Sequence, residues 1–172
     1  TKSGGGNWIP SARKGQSGFA NSGVAGYFAG GENNGSRFSQ VVKVTFPSDG
    51  ISTLATGLSS ARDLSAGFAN SGVAGYVAGG NDPSRVTTVD KFAFPGDTRS
   101  TLGTGLSDGT NWMAGAANSG VAGYVAGGQT GSTNFNNKIE KFLFSNDSRS
   151  VITATLNSGA YTISGMANSG TL

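Results

Sequence analysis

A stretch of fourteen residues, Gly18-Phe19-Ala20-Asn21-Ser22-Gly23-Val24-Ala25-Gly26-Tyr27-Phe28-Ala29-Gly30-Gly31, returns in this chain at 67–80 and at 115–128. A fourth copy opens at Gly165-Met166-Ala167-Asn168-Ser169-Gly170. The leading glycines are 49, 48 and 50 residues apart. The remainder of each unit recurs too. Lys43-Val44-Thr45-Phe46-Pro47-Ser48-Asp49 matches Lys91-Phe92-Ala93-Phe94-Pro95-Gly96-Asp97 and Lys141-Phe142-Leu143-Phe144-Ser145-Asn146-Asp147. A period near 50 marks a series of supersecondary units, each burying its apolar faces against its neighbours. The chain divides into the end of one unit (1–17), three full units (18–66, 67–114 and 115–164) and the start of another (165–172).

Within a unit the pattern predicts four short strands. In the second unit these are 66–69, small residues around one Phe; 73–78, ending at Gly79-Gly80; 87–94; and roughly 100–103. The first two are joined by Asn-Ser-Gly, whose Gly supplies the positive φ of a tight hairpin. The third alternates, with Asp90, Phe92 and Phe94 on one face and Val89, Lys91 and Ala93 on the other. Helical periodicity is absent, and the density of Gly and β-branched residues opposes it. Four antiparallel strands per unit of about 50 residues describe an all-β fold of β-propeller blades. Small inner strands suit a crowded axis. Val44, Phe92 and Phe142 are expected to form the inter-blade core. A β-solenoid or a Gly-rich sandwich is the competing architecture.

Composition removes most chemistry. The chain has no His and no Cys. That excludes His- or Cys-dependent nucleophilic triads, the usual zinc sites and any disulfide framework. Carboxylate and Lys chemistry remain. Asp49, Asp97 and Asp147, however, recur one per unit, too dispersed for a metal cage or an acid–base pair. They are expected to cap turns, and Lys43, Lys91 and Lys141 to keep the third strand soluble. No catalytic residue, metal site or cofactor is assigned. The net charge of +3 comes without a basic cluster, so nucleic acid is not an expected partner. No apolar run approaches the ~20 residues of a membrane helix.

The unit resembles a kelch repeat: a small-residue strand, a strand closing on Tyr-x-Ala-Gly-Gly (Tyr27, Tyr76, Tyr124), an aromatic third strand, and an Arg in the connection. That Arg is Arg62 in Leu58-Ser59-Ser60-Ala61-Arg62 and Arg13 in Ile9-Pro10-Ser11-Ala12-Arg13. The match covers nearly the whole chain. It departs from the kelch pattern at two points: no Trp follows the third strand, where Ile51, Arg99 and Arg149 stand, and the Arg becomes Thr110 and Ala160 later on. The resemblance implies a propeller whose Arg bonds neighbouring loop carbonyls. Kelch-like oxidases need a copper-binding His, which this chain lacks. The Gly-Tyr-x-Ala-Gly-Gly variant is also similar to repeats of phage virion and bacterial surface proteins.

Propellers have about 4 to 8 blades, so three units do not close a ring. Either further blades of a longer chain or other copies of this one are expected to complete it, and the units alone are expected to associate or be marginally stable. The loops that differ between copies, 32–39, 81–85 and 129–137, share one face with the connections. Candidate binding residues on that face are Arg13, Asn34, Arg62, Arg85, Asn111, Trp112, Asn134 and Tyr161. Trp112, beside Asn111, stands where other copies have Gly15, Leu64 and Thr162. It suits a sugar ring or a partner anchor, although such a residue is more often a core filler or a rim residue. The leading functional expectation is a non-enzymatic structural or adhesive module of a virion, a cell surface or the extracellular space. A glycan-binding propeller and an intracellular, cytoplasmic protein-docking scaffold are the alternatives.

Overall fold

In a computed structural model of the chain, the described residues are 12–160 and the short strand at 167–168. All the regular elements described are strands. The first unit is a sheet of β1 (Ser17–Asn21), β2 (Ala25–Ala29), β5 (Val41–Thr45) and β6 (Gly50–Thr53), antiparallel in that order. The hairpin β3 (Glu32–Asn33) and β4 (Ser36–Arg37) rises from the loop between β2 and β5. The second repeats this plan with β7 (Ala66–Asn70), β8 (Ala74–Ala78), β11 (Val89–Ala93) and β12 (Thr98–Thr101), and with the hairpin β9 (Asn81–Asp82) and β10 (Ser84–Arg85). The third has β13 (Ala114–Asn118), β14 (Ala122–Ala126), β15 (Ile139–Leu143) and β16 (Arg149–Val151). Beside β13, and parallel to it, lies β17 (Ala167–Asn168).

The outermost strand of the second unit begins at Thr98, two residues earlier than its sequence suggests. Asp97 takes a left-handed conformation (φ 54°), which closes the turn at once and sets Ala93 opposite Thr98. The loop hairpins β3–β4 and β9–β10 carry no hydrophobic alternation and were not expected.

Three sheets stack in sequence order through two apolar joints. Cross-strand register explains how. Residues opposite one another share a sheet face, so Phe19, Tyr27 and Lys43 form one row across β1, β2 and β5. Phe68, Tyr76 and Lys91 form the same row in the second unit. We call this the trailing face. The leading face of the following unit presents Ala69, Gly75, Phe92 and Arg99, then Ala117, Gly123, Phe142 and Arg149. Phe19 stacks on Tyr27 (4.7 Å) and lies 5.8 Å from Phe92. Phe68 repeats this with Tyr76 (5.0 Å) and Phe142 (5.8 Å). Phe92 and Phe142 are thus fully buried, each worth roughly 1.5–3 kcal/mol. Val44, expected beside them, is only half-buried, because it lies on the leading face of the first unit, which no described sheet covers.

Two glycines make the joint possible. A Cβ at Gly75 would enter the Phe19 ring, and one at Gly67 would meet the Gly18 carbonyl, so ring and backbone need bare Cα atoms opposite them. Close packing of the small-residue inner strands follows directly. The described residues form no closed ring.

Candidate functional site

The recurring polar residues meet at the joints. The Asp97 carboxylate of the second unit accepts from the Tyr27 hydroxyl (2.8 Å) and the Lys43 ammonium (2.6 Å) of the first. One joint along, Asp147 accepts from Tyr76 (2.8 Å) and Lys91 (2.6 Å). Burial first, and the hydrogen bond to the carboxylate second, push both phenols well above their ordinary pKa. Asp97 and Asp147 are therefore clasps between units rather than only turn caps, and Lys43 and Lys91 are their partners rather than solubilising charges. In the third unit Asn146 does the capping, accepting from the Ser148 amide (3.0 Å).

A second ladder joins the Asn-Ser-Gly turns. Asn21 Oδ1 accepts from the Gly72 amide (2.8 Å), and Asn70 Oδ1 from the Gly120 amide (2.7 Å). The side chain that reads as a local turn former instead satisfies the backbone of the next unit. Sequence reasoning missed both ladders, although the strict recurrence of Tyr, Lys, Asp and Asn was their signal.

A third contact is buried outright. Arg62 and Asp90 pair at 2.9 Å with neither side chain exposed. Arg62 also donates to the Val77 carbonyl (3.2 Å), and Asp90 accepts from the Ser59 amide (2.8 Å) and the Thr101 hydroxyl (2.7 Å). Burial lowers the Arg62 pKa, and Asp90 opposes that. Such pairs are costly to break once built. In the next joint Thr110 replaces the Arg, and buried Glu140 accepts instead from the Ser107 amide (3.0 Å) and hydroxyl (3.0 Å), with Arg149 at 3.5 Å. In the first unit Val42 stands where the acid would be. Arg13 lies over the Phe38 ring (3.9 Å) and bonds Gln40.

The loop hairpins and the connections do share one end of the sheets. Arg37 reaches Asp63 (2.8 Å), and Arg85 reaches Asn111 (3.2 Å) and the Gly131 carbonyl (3.3 Å). Of the candidate binding residues, Arg62 is sealed in the joint and Asn111 is buried against Arg85, so neither presents a free polar group to a ligand. Arg85 is committed to the same contact. Asn34 and Asn134 are exposed on separate loops, Asn34 at the left-handed corner of its hairpin (φ 48°). Tyr161 lies outside the described residues.

Trp112 is 38 % exposed and holds a left-handed backbone (φ 61°), as do Leu64 (φ 59°) and Gly15 (φ 67°) at the equivalent positions. The Leu64 amide donates to the Gly15 carbonyl (2.7 Å), and the Trp112 amide to the Leu64 carbonyl (2.9 Å). This backbone ladder forces the conformation, at about 1–2 kcal/mol for a non-Gly residue. Among the described residues, no group of His, Cys, Asp and Glu is arranged to hold a metal ion.

No protein-family model matches the chain, and no curated protein matches it.

Proposed function

We propose that the units are blades of a kelch-like β-propeller, and that the chain is a non-enzymatic structural and binding module of an extracellular, cell or virion surface, acting in adhesion or assembly. The observation that carries this reading is the use made of the charged groups. Of nine acidic residues, seven are in ion pairs among the described residues, and those at Asp90, Asp97 and Asp147 tie one unit to another. A fold whose recurring carboxylates bind its own lysines and arginines has them engaged in assembly, not poised for proton transfer. Rigid stacking also presents one end with loops that differ in every copy, which is the arrangement of a binding module.

A second reading rests on Trp112. A half-exposed indole held by a backbone ladder offers a flat, preorganised surface to the apolar face of a pyranose ring. Immobilised glycans, probed with the chain and with Trp112→Ala, separate the two. Binding that falls at least about tenfold in the variant (about 1.4 kcal/mol) supports a lectin. Absence of binding, with the chain recovered in a surface or purified virion fraction, supports the structural role. Recovery from the cytoplasm alone contradicts the surface assignment.

A further inference from the structure

A cleft of about 340 Å³ lies at the first joint, between the outer strands of the first unit and the β11–β12 turn of the second. One wall belongs to the first unit. Lys43 on β5 and Ser52 on β6 are opposite in register and share its trailing face, and Leu54 and Thr56 follow β6. The other wall is the turn that carries Asp97 and Thr98. The Lys43–Asp97 pair thus faces the cleft with unspent capacity. An ammonium has three donors, and Lys43 directs one to a described partner, Asp97. Asp97 Oδ1 accepts from Tyr27 and Oδ2 from Lys43, which leaves each oxygen a second lone pair. Ser52, Thr56 and Thr98 are exposed, and none of their hydroxyls makes a hydrogen bond among the described residues. Leu54, half-buried against the aromatic cluster of the joint, adds apolar surface. The clasp itself needs Tyr27, Lys43 and Asp97 and has no use for these hydroxyls. The repeat nevertheless carries hydroxyl side chains at the equivalent positions, Ser100, Thr104 and Ser148.

We infer that this cleft binds a small neutral polyhydroxyl ligand, a pyranose ring, through the Lys43–Asp97 pair and the hydroxyls of Ser52, Thr56 and Thr98. A cation and an anion side by side cancel, so the site favours neither a charged acid nor a charged amine. They set donors beside acceptors, which is what neighbouring hydroxyls of a sugar require, since each of those both donates and accepts. Leu54 gives the ring carbons an apolar surface, so the cleft combines a few convergent polar groups with an apolar contact. Its volume is near the lower limit of small-molecule sites, about 300 Å³, which suits a single ring rather than an extended chain. A ligand held by both walls bridges two units and stabilises the joint by mass action. The inference goes beyond both readings above. It uses none of the loop-end candidates, and Trp112 lies elsewhere, in the connection that precedes the third unit.

The test is heteronuclear NMR on the full chain, with methyl α-glucoside, methyl α-mannoside and methyl β-galactoside as probes and inorganic phosphate as the charged comparison. At least one glycoside should shift the amides of 52–56 and 96–98 saturably. The double variant Ser52→Ala/Thr56→Val removes two hydroxyls and leaves the Lys43–Asp97 pair in place. It should weaken that binding at least about tenfold, with the melting temperature of the sugar-free chain unchanged. Trp112→Ala should leave the binding unaltered. No saturable shift with any of the glycosides, binding indifferent to the double variant, or phosphate saturating these amides where the sugars do not would overturn the inference. Immobilised glycans separate the two sources of such a ring. Retention lost in the double variant identifies the end of a glycan, whereas binding of the free glycosides alone identifies a soluble sugar, and either result upholds the site. Binding that depends on Trp112 and not on Ser52 and Thr56 removes this site and leaves the Trp112 reading standing.

Discussion

Gly75 and Trp112 show how much a single position carries. At Gly75 the absence of a side chain is the binding surface for Phe19. Gly75→Ala should destabilise the chain by about 1–3 kcal/mol through overpacking at the first joint. Gly72→Ala, in a turn where a Cβ meets nothing within 4 Å, bears only the positive-φ penalty at φ 78°. Urea unfolding measures both losses, and a Gly75→Ala chain as stable as the wild type would mean the ring does not occupy the hollow. Trp112 was visible in the sequence as an odd residue in its repeat position. Its left-handed backbone was not, because Leu64 and Trp112 give no local sign of positive φ. Only the ladder between units, from Gly15 to Leu64 to Trp112, imposes it.

At the scale of elements, the strands were legible because hairpin turns, double glycines and alternation act locally. Their partners were not. The alternation on β11 puts Asp90 and Phe92 on one face and Lys91 on the other, yet nothing within β11 says that Lys91 reaches forward to Asp147 while Asp90 reaches back to Arg62. The joint has a pH signature. The Tyr27 and Tyr76 phenols titrate above their ordinary value of about 10 because burial and the Asp clasp disfavour the phenolate. A folded pKa raised above the unfolded one stabilises fully below the unfolded value and ceases to do so as pH climbs toward the folded one. Stability should therefore decline as pH rises past about 10. Thermal melts across that range should fall less steeply for the Tyr27→Phe/Tyr76→Phe variant, which has no proton to lose at these sites. An unchanged slope would place the phenols in water.

At the scale of the molecule, the three units and their boundaries follow from the repeat period, since each copy records its own strands. The period is silent on how copies meet. Here the joints are built from three kinds of contact: an aromatic ring in a glycine hollow, a Tyr/Lys–Asp clasp, and an Asn that satisfies the next turn. The excess of Gly, the scarcity of unpaired charge and the small inner strands are consequences of stacking sheets on both faces. The central claim is that these contacts couple one unit to the next. A double-mutant cycle of Lys91→Met and Asp147→Asn, read by urea unfolding, tests it most directly. The account predicts a coupling energy of about 0.5–3 kcal/mol between residues from different units. Single-variant effects that add to within about 0.3 kcal/mol would contradict it.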